Sequence, residues 1–326
     1  MSNILVTGAT GFTGSHLCKR LVANGEQVVA FVRGSSETRV LEEIGVECRV
    51  VDICDPQDVS ANFQGIDRVY HIAAAWRAEH ADRQEFQRVN VEATRNLLEA
   101  AKAANVRRFV HCSTVGVQGD IDDPPADEDY RFQPGDHYQE TKLKGELLAR
   151  EYFADGLPGA VFRPVGIYGP GDTRFLKLFR PISKGTFVMI GTGETLYHLT
   201  FIDDLVDGIL LVGSREEALG EVFTLAGATY TTLGELADSI AGALQKPRRR
   251  LRIPFYPVYI ASIVCDRFCR MVGVEPVLYP RRVEFFSKDR AFSIDKAKRM
   301  LGYQPKIDLQ EGLRRTAEWY REEGLI

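Results

Sequence analysis

Short apolar runs alternate with longer stretches that carry an apolar residue every three or four positions through the first half of the chain. Runs of the first kind are typical of strands, and the longer periodic stretches are typical of helices that bury one face. The pattern predicts, in order, strand 4–7, helix 12–24, strand 27–32, strand 48–51, strand 68–72, helix 88–104, strand 108–112, helix 138–153 and strand 160–163.

This alternation predicts an α/β protein with a Rossmann-type, doubly wound parallel sheet that has helices on both faces. Ligands of such sheets bind beyond the carboxyl ends of the strands, so the residues after each strand are the first candidates for a site. The alternation weakens after Pro170, where prolines and basic residues become commoner. We therefore expect a dinucleotide-binding domain over residues 1–170 and a smaller C-terminal substrate-binding domain over residues 171–326, with a segment near 199–214 returning to the first domain.

The amino-acid composition limits the classes of molecule that this protein is expected to bind. The net charge of −4 and the pI of about 6.0 give no broad electrostatic reason to bind nucleic acid or an anionic membrane. The six cysteines form no CxxC pair and no cluster with histidine, which argues against a metal site or a disulfide framework. The sequence begins without the pattern of a signal peptide, and its longest apolar segment, 253–264, is too short to span a bilayer. We expect a cytoplasmic protein that acts on a small molecule.

The stretch VTGATGFTGSHL places Gly8, Gly11 and Gly14 between the first strand and the first helix. Glycines at this spacing allow a tight turn, close approach of the backbone to a pyrophosphate, and close packing of helix on strand. A purely structural turn is the alternative, but the position favours dinucleotide binding. Together with the ends of the next strands, this turn predicts cofactor contacts at Gly8, Thr10, Gly11, Phe12, Thr13, Gly14, Arg33, Asp52, Ile53, Ala73 and Ala74.

The residue after the second strand bears on the choice of cofactor. A carboxylate there would accept hydrogen bonds from the ribose of NAD, whereas this chain has Arg33, followed by Ser35 and Ser36. A guanidinium suits the additional phosphate of NADP, so NADP is favoured and NAD is the alternative. Arg33 is also compatible with a solvated surface position. Asp52 has the chemistry to accept from the adenine amino group, or to be an exposed loop residue without a role.

Tyr138 and Lys142 lie four positions apart, so they share one face of a helix. An ammonium beside a phenol favours the phenolate, which predicts a lowered pKa for Tyr138 and a role as acid-base group. Lys142 has the further chemistry to hold the nicotinamide ribose, so both residues are also cofactor candidates. Thr114 follows the fifth strand and is placed to orient a substrate oxygen, with Ser113 the weaker candidate. Each feature alone occurs by chance, but their order after a glycine turn favours a catalytic set.

The chain resembles the extended short-chain dehydrogenase/reductases of the NAD-dependent epimerase/dehydratase family, which include nucleotide-sugar epimerases, dihydroflavonol reductases and 3-beta-hydroxysteroid dehydrogenases. The resemblance rests on the glycine turn, HIAAA at 71–75, NVEATRNLLEAA at 90–101, Ser113-Thr114, Tyr138 with Lys142, RPVGIYGPGD at 163–172, FIDDLVDG at 201–208 and LGYQP at 301–305. It implies catalytic roles for Thr114, Tyr138 and Lys142, and it implies that Pro164 and Gly166 line the nicotinamide pocket.

At several positions this sequence differs from the motifs of particular subfamilies, and these differences argue against some of the family's reactions. Val115-Gly116 stand where the family's sugar dehydratases have Asp-Glu, which argues against dehydration. Tyr197, with His198 beside it, stands where many nucleotide-sugar enzymes have a diphosphate-binding arginine. That role would then need a substitute, for which the candidates are Arg174, Lys177, Arg180 and the run KPRRRLR at 246–252. The segment 253–274 resembles the sterol- and flavonol-type members, although we expect most of it to pack into a core.

Three functions remain open from the sequence. The leading interpretation is a nucleotide-sugar 4-epimerase-like enzyme that transfers hydride at a secondary alcohol or ketone. The second is an enzyme similar to 3-beta-hydroxysteroid dehydrogenase or dihydroflavonol reductase, acting on a bulky apolar alcohol. The third, a non-catalytic cofactor-binding scaffold, is disfavoured because both Tyr138 and Lys142 are present. The resemblance further implies a homodimer formed through helices 88–104 and 138–153.

Overall fold

A computed structural model describes residues 3–76, 83–247, 251–274 and 276–326. The strands in these ranges are β1 Asn3–Thr7, β2 Gln27–Val32, β3 Glu47–Val50, β4 Ile66–His71, β5 Arg108–Cys112, β6 Gly159–Pro164, β7 Gly166–Tyr168, β8 Met189–Ile190, β9 Leu196–Tyr197, β10 Leu199–Phe201, β11 Val222–Leu225, β12 Thr231–Thr232 and β13 Arg252–Ile253. The helices are α1 Phe12–Ala23, α2 Arg39–Glu43, α3 Pro56–Asn62, α4 Arg83–Gln87, α5 Ala93–Ala103, α6 His137–Ala154, α7 Leu176–Ser183, α8 Ile202–Ser214, α9 Leu233–Ala243, α10 Phe255–Met271, α11 Pro280–Glu284, α12 Asp295–Leu301 and α13 Leu309–Glu322.

One large parallel sheet organises the described residues, with seven strands in the order β3-β2-β1-β4-β5-β6-β11. The strand order reverses between β1 and β4, which makes a crevice at the carboxyl ends of these two strands. The central strands are buried on both faces, as continuous apolar runs in parallel sheets require. The predicted α/β fold with a doubly wound sheet is therefore confirmed.

The predicted elements all occur, with ends that differ by at most two residues, except in the stretch 88–104. There a π-helical turn over Arg88–Glu92 precedes α5. The strand β11, which extends the sheet beside β6, was not predicted because no regular alternation surrounds its four residues. This strand places residues 222–225 in the large sheet, although the expected boundary put them in the C-terminal domain.

The two faces of the sheet are covered by different parts of the chain. On one face Leu97 and Phe109 belong to a core that includes α3, α5 and α6. On the other face Leu17 and Phe162 join a larger core that extends through α8 into the C-terminal elements. The helix α8 packs on α1 and on the sheet strands β5 and β6. This arrangement joins the C-terminal elements to the sheet at the side where the strands end.

The helix α10 departs from the expectation that 253–274 packs into a core. Of its 17 residues only Ser262 is buried, and most of its apolar side chains are exposed. The expectation was wrong for this helix because many of its large apolar residues lie on the side that faces away from the protein, namely Tyr256, Ile260, Val264, Phe268 and Met271. Across the described ranges, none of the helices combines the length and the apolar character needed to cross a membrane.

Candidate active site

The glycine turn after β1 leaves no room for side chains at two of its positions. Gly8 has φ of +71°, and a Cβ there would lie 2.8 Å from the backbone nitrogen of Ala73. A Cβ on Gly14 would lie 2.1 Å from the Gly8 carbonyl oxygen, so only glycine lets α1 pack this closely on β1. Gly11 caps α1 without a side-chain hydrogen bond, and no acidic residue occupies the first turn. The turn thus presents backbone N–H groups to an anion and fits a pyrophosphate.

The next strand ends place Arg33 and Asp52 at the same edge of the sheet. Val32 is buried, whereas Arg33 is exposed, and its carbonyl accepts from Ser36 N at 2.9 Å in a turn. In the described residues, Arg33 forms no ion pair and so keeps its charge for an anionic ligand. Asp52 is partly engaged in its own loop, since its Oδ1 accepts from Cys54 N at 2.9 Å. Ile53 packs against the core, so only its backbone faces this edge.

The loop after β4 is held by Asn90, a residue that the sequence analysis did not single out. Its side chain accepts from Ala75 N at 2.8 Å and donates to Ala75 O at 3.1 Å. It also donates to Thr141 Oγ1 at 3.0 Å, which ties the loop to α6. The neighbouring Ala73 donates its N–H to Thr7 Oγ1 at 3.3 Å. The sequence did contain one indication of this role, since Asn90 is a polar residue at a position where the helix pattern predicts a buried apolar one.

Tyr138 and Lys142 lie on successive turns of α6, as their spacing predicts. The helix begins at Asp136, whose side chain accepts from Gln139 N at 2.8 Å. Lys142 is 2% exposed, and its ammonium donates to the Cys112 carbonyl at 2.6 Å. Burial lowers the pKa of this ammonium. Tyr138 is half-buried, and its ring meets the ring of Phe86 edge-on at 6.5 Å.

The pKa of Tyr138 is shifted in the direction opposite to the prediction. Burial raises the pKa of this phenol, and the nearby Cys112 and Asp136 raise it further. The expected fall caused by Lys142 is therefore wrong, because the ammonium is directed to the carbonyl of Cys112 rather than to the phenol. The group that lowers the Tyr138 pKa is Arg174. The raised pKa keeps this phenol protonated at neutral pH.

Arg174 spans the crevice between the glycine turn and the C-terminal elements. Its guanidinium lies 5.4 Å from the ring centroids of both Phe12 and Trp76. It donates to Asp172 Oδ1 at 2.5 Å and to the Ile167 carbonyl at 3.0 Å. These contacts fix a cation beside the candidate cofactor turn.

Thr114 is better placed for a substrate oxygen than Ser113. The Thr114 hydroxyl accepts from Gly116 N at 3.1 Å and caps a short 3-10 turn, so it retains a proton to donate. Ser113 is buried and donates to Glu146 Oε2 at 2.5 Å. That carboxylate is in turn paired with the buried Arg163 at 2.5 Å. Ser113 is thus committed to an internal network.

Pro164 and Gly166 lie where β6 ends, next to Tyr197. A Cβ on Gly166 would be 2.8 Å from Leu199 Cδ2 and 3.1 Å from the Tyr197 hydroxyl, so a larger residue there would displace the ends of these two side chains. His198 is a structural residue, since its Nε2 donates to the Gly227 carbonyl at 2.9 Å and burial lowers its pKa to about 4. The Tyr197 ring packs on Phe285 at 5.2 Å. An aromatic pair therefore occupies the position considered for an arginine.

The candidate substitutes for that arginine are dispersed. Arg174 lies in the crevice, as described above, whereas Lys177 is exposed on α7. Arg180 donates to the Leu325 carbonyl at 3.0 Å, near the end of the chain. Residues 248–250 of the run 246–252 lie outside the described residues.

Comparisons with known proteins agree with this geometry. Residues 4–226 match the model of the NAD dependent epimerase/dehydratase family. Sterol demethylase protein B of Methylococcus capsulatus is 29% identical over 339 residues, which cover 99% of each chain. A 3 beta-hydroxysteroid dehydrogenase/Delta 5-->4-isomerase of Mycobacterium tuberculosis is 31% identical over 98% of this chain and 90% of that protein.

Among solved structures, a UDP-glucuronic acid 4-epimerase from Bacillus cereus in complex with NAD superposes with a TM-score of 0.78. It is 26% identical, and the match covers 98% of this chain and 99% of that one. The family-model match over residues 4–226, together with a relative that is 31% identical over 98% of this chain, shows that the protein belongs to the NAD dependent epimerase/dehydratase family and is an enzyme of the extended short-chain dehydrogenase/reductase type.

Proposed function

We propose that the enzyme interconverts a secondary alcohol and a ketone on a bulky apolar, sterol-like substrate, with NADP as cofactor and NAD as the alternative. The observation that carries the proposal is the Tyr197 ring, which lies beside Gly166 and packs on Phe285. The nearest cation to this pair, Arg290, lies 5.4 Å from the centre of the Phe285 ring, and its guanidinium donates to the backbone carbonyls of Phe285 and Lys288. An aromatic wall favours an apolar ring system over a diphosphate. The names of the Methylococcus and Mycobacterium relatives support a sterol-like substrate.

The nicotinamide, when bound, supplies or accepts the hydride. In our proposal Tyr138 exchanges the proton of the substrate oxygen, Thr114 donates a hydrogen bond to that oxygen, and Lys142 binds the ribose hydroxyls. The turn at residues 8–14 holds the pyrophosphate, with Arg33 on the additional phosphate of NADP and Asp52 near the adenine. Ala73, Ala74, Pro164 and Gly166 supply the close walls of the pocket. Because burial raises the pKa of Tyr138, the site is set to donate a proton at neutral pH, which suits ketone reduction.

A substrate panel tests this function. We expect a 3-oxosteroid to be reduced with net consumption of NADPH, and we expect UDP-glucose to give no turnover. Tyr138→Phe should lower the rate by about 10²–10⁴-fold, the usual contribution of a general acid. Tyr152→Phe is a matched control, because this tyrosine lies on the same helix with its hydroxyl on the exposed Glu99. Retained turnover in Tyr138→Phe would contradict the assignment of the acid.

A nucleotide-sugar 4-epimerase is the second candidate. The likeness to the Bacillus cereus epimerase over nearly the whole chain favours it, and Arg174 is a cation in the crevice that suits a diphosphate. An epimerase returns the hydride, so UDP-sugar conversion without net change in the absorbance of reduced nicotinamide would establish this function instead. A non-catalytic scaffold would show cofactor binding but no turnover with either substrate class.

The domain division and the assembly belong to the same proposal. We infer that residues 1–170, with the return segment 199–214, bind the dinucleotide, and that residues 171–326 shape the substrate pocket. A homodimer formed through α5 and α6 would cover Leu147, which is 39% exposed on α6. Light scattering that gives a monomer at micromolar concentration would exclude this dimer. We also infer a cytoplasmic location, in line with six cysteines that form no disulfide bond in the described residues.

A further inference from the structure

The helix α10 exposes a row of large apolar side chains to solvent. Its buried residue is the polar Ser262, whereas its outward side is apolar. Six exposed residues, called the exposed stripe, are Tyr256, Ile260, Val264, Phe268 and Met271 of α10 together with Val272, which caps the C-terminal end of the helix. Their exposed fractions run from 52% to 78%. Since residues four apart share one side of a helix, the exposed stripe is continuous, and continuous apolar patches of this kind mark interaction surfaces.

The sequence segment that carries the exposed stripe has a net charge opposite in sign to that of the whole chain. From residue 251 to residue 290 the sequence has seven Arg and Lys against four Asp and Glu, although the chain carries a net charge of −4. Arg252 and Arg267 are exposed, and in the described parts of the chain neither has a carboxylate within ion-pair distance. Arg270 pairs with Asp266 at 3.0 Å but is itself 76% exposed. The surface therefore combines an apolar centre with unpaired cations.

Contacts from α10 lead to the candidate active site. The Tyr259 hydroxyl donates to Glu284 Oε1 at 3.3 Å, which joins α10 to α11. At the start of α11, Arg281 pairs with Asp136, the residue that caps α6 and precedes Tyr138 by two positions. The exposed stripe is thus connected through α11 to the start of the helix that carries Tyr138.

We propose that α10 docks the enzyme on an anionic phospholipid bilayer, with the exposed stripe among the acyl chains and the arginines on the phosphate headgroups. An apolar helix face with arginines at its margin is the composition of helices that lie in the membrane interface. A second copy of the same surface is disfavoured as the occupant, because it would oppose two positively charged segments. The docking goes beyond the proposed reaction and does not depend on the identity of the substrate.

Co-sedimentation of the full-length chain with vesicles tests the docking. We expect the protein to bind vesicles of phosphatidylcholine with phosphatidylglycerol more tightly than vesicles of phosphatidylcholine alone, with weaker binding at high salt. I260S/F268S should weaken binding about tenfold or more, because two apolar side chains are removed from the lipid phase. R252E/R267E should weaken binding to the anionic vesicles by about fivefold per residue, with a much smaller effect on the neutral ones.

Two exposed apolar residues elsewhere provide the matched control. Val40 and Leu219 are 53% and 39% exposed, far from α10 in the chain, so V40S/L219S should bind like the unchanged protein. Circular dichroism establishes that each variant is folded, and no substrate is needed at any step. Equal binding of I260S/F268S and the unchanged protein would overturn the docking, as would equal binding to neutral and anionic vesicles. A dimer that I260S/F268S converts to a monomer, without vesicle binding by either, would assign the exposed stripe to self-association instead.

Discussion

The protonation of Tyr138 sets the direction in which the site works best at a given pH. Burial and the nearby Cys112 and Asp136 raise its pKa above the ordinary phenol value of about 10. The phenol therefore stays protonated through the neutral range, and in the proposed reaction it would donate this proton to a carbonyl oxygen. The reverse reaction needs the phenolate, so the rate of alcohol oxidation should rise with pH up to the alkaline limit of stability.

Substitution of Arg174 tests this pH dependence, because the direction in which the pH profile should move can be predicted. Its positive charge favours the phenolate and lowers the Tyr138 pKa. Replacing it in Arg174→Met removes that effect, so the pKa rises further and the alkaline rise of kcat for oxidation moves to higher pH. Lys177→Met, a change of an exposed cation on α7, should leave the profile in place. A profile that moves to lower pH in Arg174→Met would contradict the role of the guanidinium.

Beneath the site, Arg163 and Glu146 form an ion pair in which both side chains are 0% exposed. Removing one partner of a buried pair leaves the other charge without compensation, so Arg163→Met should lower the free energy of unfolding by about 3–5 kcal/mol. Arg150 offers the control, because it reaches the same Glu146 at 3.9 Å from a side chain that is 44% exposed. Arg150→Met should cost less than about 1 kcal/mol. Urea denaturation measures both, and equal losses would contradict the importance of burial.

Among the secondary-structure elements, α6 depends on a glycine to approach the π-helical turn over Arg88–Glu92. A Cβ on Gly145 would lie 2.5 Å from the Asn90 carbonyl oxygen, a backbone atom of the π-helical turn. Gly145→Ala should therefore push α6 away from that turn, loosen the Asn90 contacts with Ala75 and Thr141, and lower both Tm and activity.

For a second helical glycine, substitution with alanine should have the opposite effect on stability. Gly242 on α9 has no atom within 4 Å of a built Cβ, so alanine is accommodated there. Gly242→Ala should raise stability by about 0.5–1 kcal/mol, since alanine reduces the freedom of the unfolded chain. Thermal unfolding of the two variants, each compared with the unchanged protein, shows whether the effect of alanine at each site is set by close packing or by helix propensity. A stabilised Gly145→Ala would show that the approach of the two elements is not tight.

Elements with a regular period were predictable from the sequence, and those set by tertiary contacts were not. The strand 27–32 and the glycine turn follow from local pattern alone. The π-helical turn over Arg88–Glu92 depends on one buried asparagine that bonds to a distant loop, which no helical period encodes. The apolar segment 253–274 was assigned to a core because composition does not tell which side of a helix faces the protein. The direction of the Tyr138 pKa shift likewise could not be predicted, because the sequence does not show that the Lys142 ammonium donates to the Cys112 carbonyl.

For the whole molecule, cofactor binding should be visible as added stability. A ligand at 100 times its Kd stabilises the folded state by about 2.7 kcal/mol, which raises Tm by several degrees in a chain of this size. If Arg33 binds the additional phosphate, NADP should raise Tm more than NAD at equal concentration, and Arg33→Ala should remove most of that difference while leaving the response to NAD. Arg39→Ala, an exposed arginine nearby that pairs with Glu43 at 2.8 Å, should keep the preference. A larger Tm increase with NAD in the unchanged protein would assign NAD as the cofactor and leave Arg33 as a solvated surface residue.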